Sequence, residues 1–193
     1  MNKFDWDKSF LVDFDLKTGF SKTAETTKRC LSHMKNMFRD SKAAEKILEE
    51  EDPLIYEFYE LGCPERKGDL AFGTTIVYPG KVGSEYYMTK GHFHTVLETA
   101  EVYYTLEGEG YMVMENPEGD TIEQHLCTGQ AVYVPRRYAH RTVNTGKVPL
   151  VLFYTFAADA GHDYGMIESR GYHKVIMERE GKAVIEDNPQ AIQ

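Results

Sequence analysis

Two stretches decide how this chain is read: Gly91-His92-Phe93-His94-Thr95-Val96-Leu97-Glu98-Thr99-Ala100-Glu101, and downstream Pro135-Arg136-Arg137-Tyr138-Ala139-His140. In extended backbone alternate residues share a face, so His92 and His94 point the same way. Glu101 opens the next candidate strand, and a hairpin loop between them can bring its carboxylate alongside. His140 re-enters the sheet after the turn that ends at Pro135. In a small barrel the inward residues of neighbouring strands surround one point. Imidazole nitrogens with one carboxylate suit a divalent transition metal better than a hard ion such as calcium. His92, His94, Glu101 and His140 are therefore the candidate metal ligands, and they leave one or two coordination positions for a substrate. An isolated His-x-His is more often just polar strand surface. Here it recurs with Gly108, Gly129, Pro135 and Asn144 at ordered spacings.

On both sides of these residues the chain reads as short strands. The segments 54–61, 71–78, 84–89, 101–107, 110–115, 130–134, 140–144 and 150–157 are rich in Val, Ile, Tyr, Phe and Thr. Tyr78-Pro79-Gly80, Asn116-Pro117-Glu118-Gly119-Asp120, Thr128-Gly129 and Asn144-Thr145-Gly146 supply turns between them. Such spacing predicts an all-β sandwich or barrel. Segments 174–178 and 183–186 predict a C-terminal hairpin about 179–182. Residues 1–20 are expected to wrap the surface or lend an edge strand. From Ser21 onward, Ala24, Thr27, Leu31, Met34 and Phe38 fall at helix spacing. Ser41 reads as the N-cap of a second helix through Glu50, carrying Ala44, Ile47 and Leu48 on one side and closed by Pro53. The expected organisation is an extension over 1–52 with two short helices, then a barrel over 53–193, in one compact domain overall.

The 193 residues carry 22 Lys and Arg against 31 Asp and Glu, a formal net charge of −9, which argues against a nucleic-acid partner. Cys30, Cys63 and Cys127 form no C-x-x-C pair and read as reduced thiols. The charged N-terminus lacks an apolar signal core, and no apolar run approaches the roughly 20 residues that span a bilayer. These features predict a cytoplasmic protein with no membrane partner.

The same residues carry a family resemblance. Glu101-x6-Gly108 resembles the end of the first cupin motif, and Gly129-x5-Pro135 through His140-x3-Asn144 resembles the second. There are two departures: the interval from His94 to Glu101 is long, and Arg137 stands where many cupins have glycine. Further motifs narrow the likeness. Tyr78-Pro79-Gly80-Lys81-Val82-Gly83, Thr89-Lys90-Gly91-His92-Phe93-His94, Ala100-Glu101-Val102-Tyr103, Ala139-His140-Arg141-Thr142-Val143-Asn144 and Ala158-Asp159-Ala160-Gly161-His162-Asp163-Tyr164-Gly165 resemble the archaeal-type, cupin-fold phosphoglucose isomerases, from about Asp52 to Pro189. The resemblance implies a cupin barrel (a double-stranded β-helix, or jelly roll) with short N-terminal helices. It also implies a homodimer and metal-dependent interconversion of glucose 6-phosphate and fructose 6-phosphate, a step of glycolysis and gluconeogenesis. By position His92, His94, Glu101 and His140 match that family's metal ligands. Tyr56, Thr75, Thr89, Gly91, Tyr103, His162 and Tyr164 fall where it contacts the sugar phosphate, and Phe156 stands where its members can carry tyrosine.

The chemistry is consistent with the residues. Aldose–ketose isomerisation moves a hydrogen between C2 and C1 while the carbonyl migrates. A metal can hold both oxygens and stabilise charge developing on them, and a neighbouring carboxylate can carry the proton. Glu101 is the candidate base, although a ligating carboxylate is a weakened one. Direct hydride transfer is a competing route. The phosphate calls for donors: the Thr75 and Thr89 hydroxyls, the Gly91 N–H, His162 and Lys90. Taken singly, Thr75 and Thr89 are ordinary strand residues and Gly91 can equally serve a turn. Two alternatives accompany the isomerase: an iron cupin dioxygenase, and a non-enzymatic sugar-phosphate-binding cupin. The expected cofactor is one divalent metal per subunit, iron(II) first, with nickel, manganese and zinc accepting the same ligands.

Overall fold

The structure is a computed structural model that describes residues 4–191. The chain enters along 4–24 without a strand and then forms β1 (Glu25–Cys30). Two short 3-10 turns (Leu31–His33 and Lys35–Met37) and α1 (Ser41–Leu48) follow. The strands after these are β2 (Leu54–Glu60), β3 (Leu70–Val77), β4 (Lys81–Val82), β5 (Glu85–Tyr86), β6 (Glu101–Glu107), β7 (Glu109–Glu115), β8 (Thr121–Cys127), β9 (Ala131–Val134), β10 (Ala139–Asn144) and β11 (Leu150–Ala157). Helix α2 (Gly165–Arg170) precedes the closing hairpin of β12 (Lys174–Arg179) and β13 (Lys182–Asp187).

One six-stranded sheet runs β1-β2-β3-β11-β6-β9, a three-stranded sheet runs β10-β7-β8, and a four-stranded sheet runs β13-β12-β5-β4. All strand pairs are antiparallel. From β6 to β11 the chain passes back and forth between two sheets: β6, β9 and β11 lie in one, and the β7–β8 hairpin and β10 in the other. This is the double-stranded β-helix of a cupin. The fold is all-β, as the strand spacing predicts.

Alternation orients the walls. Along β6 the side chains of Glu101, Tyr103 and Thr105 are buried, while Val102 and Tyr104 are exposed. β11 reads as a nearly continuous apolar run because both its faces are covered. Leu152, Tyr154 and Phe156 turn inward. On the outside Phe153 meets Phe14 at 6.1 Å between ring centroids, and a Cβ added at Gly19 would lie 2.8 Å from Val151. The N-terminal segment therefore wraps the outer face of the large sheet, anchored by the Thr74 hydroxyl donating to the Gly19 carbonyl at 2.5 Å.

The helix read over Ala24 to Phe38 is not formed. Residues 25–30 are instead the edge strand β1, paired with β2 and interrupted by an irregularity between Arg29 and Cys30. The spacing that suggested a helix is met another way. A 3-10 turn also puts residues three apart on one face, and Leu31, Met34 and Phe38 are all buried. Among the described residues the region before Pro53 thus holds one α-helix, not two. The second expected helix is present, but its N-cap is Asp40, whose carboxylate accepts the Ala43 N–H at 2.9 Å. Three elements lacked a readable pattern. β8 is a mostly solvent-facing strand with only Leu126 buried, β4 has two residues, and α2 buries only Ile167.

Candidate metal centre

His92 and His94 lie in an extended connection, not in a long strand. Met88 bridges Val143, and His92 bridges His140 through reciprocal backbone hydrogen bonds of 3.4 and 3.2 Å. On the other edge Phe93 exchanges bonds of 3.0 and 2.8 Å with Asp163. The segment is therefore pinned from both sides although it belongs to no sheet ladder. Gly91 makes its close approach possible: φ is +74°, and a Cβ there would lie 2.2 Å from the Tyr172 hydroxyl and 2.8 Å from the His140 carbonyl oxygen. Glu101 is the first inward residue of β6, and His140 is the second residue of β10, a strand buried along its whole length.

These placements bring His92, His94, Glu101 and His140 together, with one ligand atom of each within 4.8 Å of the others. His94 Nε2 lies 3.2 Å and His140 Nε2 2.9 Å from Glu101 Oε2. The opposite ring nitrogens face carbonyls, His94 Nδ1 at 3.3 Å from Gly161 O and His140 Nδ1 at 3.4 Å from Tyr138 O. Nδ1–H donation there leaves the Nε2 lone pairs free to face the centre. The inner contacts are close but not aligned as hydrogen bonds. The three Nε2 atoms and both Glu101 oxygens are buried with no hydrogen-bond partner. Five such atoms in one place are costly unless something satisfies them together. A divalent transition cation does so, and this donor set fits one.

The protonation states agree. Burial pushes the Glu101 carboxyl up, but His140 and His94 outweigh it and hold the group at about 2. His92 sits well below the usual imidazole range, first through burial and then through His140, His162 and His94. Carboxylate and neutral imidazole are the ligating forms.

Above the four donors is a cavity of about 370 Å³, and all seven residues expected at a sugar phosphate line it: Tyr56, Thr75, Thr89, Gly91, Tyr103, His162 and Tyr164. The Thr89 hydroxyl accepts the Thr142 N–H at 3.0 Å, so it also ties the 88–94 segment to β10. The His162 ring centroid is 4.4 Å from that of His92, and Tyr164 lies 5.5 Å from it. His162 keeps one exposed edge while burial lowers its basicity. Phe156 turns into the cavity wall, 5.4 Å from both His94 and His162. Lys90 does not line the cavity, and its ammonium pairs with Glu168 at 2.7 Å. Arg29, Thr142 and Tyr154 are lining residues that the sequence reading missed. Tyr154 was within reach, since it alternates with Phe156 on β11. Arg29 was not, because its segment was read as helix.

Comparison with known proteins supplies the family. The glucose-6-phosphate isomerase family model matches residues 28–193. The chain belongs to the glucose-6-phosphate isomerase family. The glucose-6-phosphate isomerase of Thermococcus litoralis is 46% identical over 94% of this chain and 95% of its own. That of Pyrococcus furiosus is 45% identical over 94% of this chain and 96% of its own. A double-stranded β-helix protein from Klebsiella pneumoniae overlaps 54% of this chain and 79% of its own, at 18% identity and a TM-score of 0.43, too loosely to bear on function. The glucose-6-phosphate isomerase match begins inside β1, so it takes in Arg29 as well as the barrel.

Proposed function

We propose that this protein interconverts glucose 6-phosphate and fructose 6-phosphate, using one divalent transition metal per subunit held by His92, His94, Glu101 and His140. The observation that carries the reading is the convergence of four buried, unsatisfied donors beneath a cavity large enough for a small sugar phosphate. When bound, the metal supplies a positive centre for the two substrate oxygens whose charge changes as the carbonyl migrates. Glu101 takes the proton from C2 of the aldose and returns it at C1, and Tyr103 on the same face borders the reacting carbons. Thr75, Thr89, Gly91 and His162 donate toward the phosphate, with Tyr56 and Tyr164 beside them. The barrel wall excludes water from the buried end of the cavity.

Family membership favours the isomerase over the dioxygenase and the non-catalytic binder. Iron(II), a homodimer, a cytoplasmic location, and a place in glycolysis and gluconeogenesis complete the proposal. So does the division into an extension over 1–52 and a barrel over 53–193 that fold as one domain.

The test is a coupled assay of fructose 6-phosphate conversion by the purified chain, before and after chelation and with single metals restored. Activity should vanish on chelation and return best with iron(II). Undiminished turnover in a chelated sample that contains no metal would overturn the proposal.

A further inference from the structure

The cavity wall contains a single guanidinium. Among its lining residues Arg29 is the sole Lys or Arg. It stands on β1 directly across from Tyr56, is half-buried, and its charge acts on the Tyr56 and Tyr164 hydroxyls. Arg29 is also unspent. Arg39, Arg66, Arg136, Arg137, Arg170 and Arg179 each pair with a carboxylate. Arg141 is sealed over the Tyr172 ring and donates to the Lys90 carbonyl at 3.0 Å. Arg29 makes a long bond of 3.4 Å from Nη1 to the Lys28 carbonyl, reaches the Tyr56 hydroxyl, and has no ion pair within 4.0 Å among the described residues.

The cavity also carries carboxylates. Besides the metal-site Glu101, two carboxylates line it, those of Glu60 and Glu65. Glu60 pairs with Glu25 at the far end of the β1–β2 ladder. Four residues separate it from the Arg29–Tyr56 pair, about 13 Å at strand rise. The 89–91 segment belongs to the cationic end, because the Lys90 backbone reaches the Tyr56 hydroxyl. A phosphate dianion meets a lining Lys or Arg only at Arg29, whose charge also acts on Glu60. The five N–H donors of a guanidinium match phosphate oxygens in a fork that lysine cannot reproduce.

We infer that Arg29 selects the phosphate group of the substrate, gripping its oxygens against the Tyr56 hydroxyl and the 89–91 segment. This rests on the sugar-phosphate reading above and names the cation that reading otherwise lacks.

The test uses the metal-loaded protein and its Arg29→Gln, Arg29→Met and Arg29→Lys variants. Metal content should be unchanged in all three. In Arg29→Gln the KM for fructose 6-phosphate should rise roughly 10- to 100-fold with a smaller fall in kcat, and the calorimetric affinity for inorganic phosphate should weaken by a similar factor. Arg29→Lys should recover part of both losses. Arg29→Met keeps the apolar stem and serves if the Gln variant folds poorly. Unchanged KM and phosphate affinity in a folded Gln or Met variant would overturn the inference. If the unmutated protein turns over no sugar phosphate, the isomerase proposal fails by itself. Phosphate calorimetry on the same proteins still decides the role of Arg29.

Discussion

Glu101 combines properties that rarely meet in one side chain. It is buried, it is held as a carboxylate, and neither oxygen has a hydrogen-bond partner. Such a group is retained for what it binds, because as a structural element it costs energy. Glu101→Gln should therefore lower kcat at least ~100-fold while leaving the melting temperature within about 5 °C. His140→Ala should remove both the metal and turnover, read by metal analysis of the purified protein. Near-normal rates in Glu101→Gln would refute the assignment of the base. So would full turnover in deuterated water with no deuterium entering C1 or C2, which would favour the direct hydride shift. Arg137 is a second telling residue. Its φ is +71°, a left-handed conformation that costs a non-glycine residue about 1–2 kcal/mol. The turn requires that conformation, which accounts for glycine at this point in many cupins. Here the strain is met by the Arg137 N–H donating to Leu97 O at 2.6 Å and the guanidinium pairing with Glu118 at 2.6 Å.

Among the elements, the legible ones were those whose local pattern coincides with their tertiary role. β6 alternates because one of its faces is buried, β11 is apolar nearly throughout because both its faces are covered, and Val, Ile, Tyr, Phe and Thr content between turn residues marks β2, β3 and β10. β8 lacked that signal because most of its side chains meet solvent. β1 was misread because Glu25-Thr26-Thr27-Lys28-Arg29-Cys30 has little apolar content of its own, and its strand state comes from the free edge of β2. The buried Leu31, Met34 and Phe38 after it mimic a helix face through two 3-10 turns. The helix that does form is short and depends on its ends. Asp40→Ala should cost ~1 kcal/mol by removing the bond to the Ala43 N–H, seen as a lower urea midpoint with unchanged slope. Its KM for fructose 6-phosphate should not move, since α1 does not line the cavity. A changed KM would mean that the helix transmits to the site.

In the molecule as a whole, the aromatic barrel carries a pH signature. Burial first of all raises the phenols of Tyr103, Tyr154 and Tyr172 above their ordinary value of 10.0, and it pushes Tyr56 up to about 12. A group whose native pKa is raised stabilises fully below its unfolded value and loses that contribution as pH climbs toward the native one. Thermal stability should therefore be flat with respect to these phenols below pH 10 and fall above it. Phenolate absorbance should rise in two parts, the exposed tyrosines first and the buried ones only with unfolding. A single titration of all tyrosines near pH 10 in a protein that stays folded would refute this. By itself the amino-acid order determined the all-β class, most strand positions and the four metal-site candidates. Strand alternation and turn chemistry are local properties, and a ligand set keeps its residue types wherever the chain places them. Tertiary structure alone decided that residues 25–30 form a strand, and that Arg29 rather than Lys90 enters the cavity. Both depend on which backbone edge and which carboxylate lie nearby after folding, and those neighbours are distant along the chain.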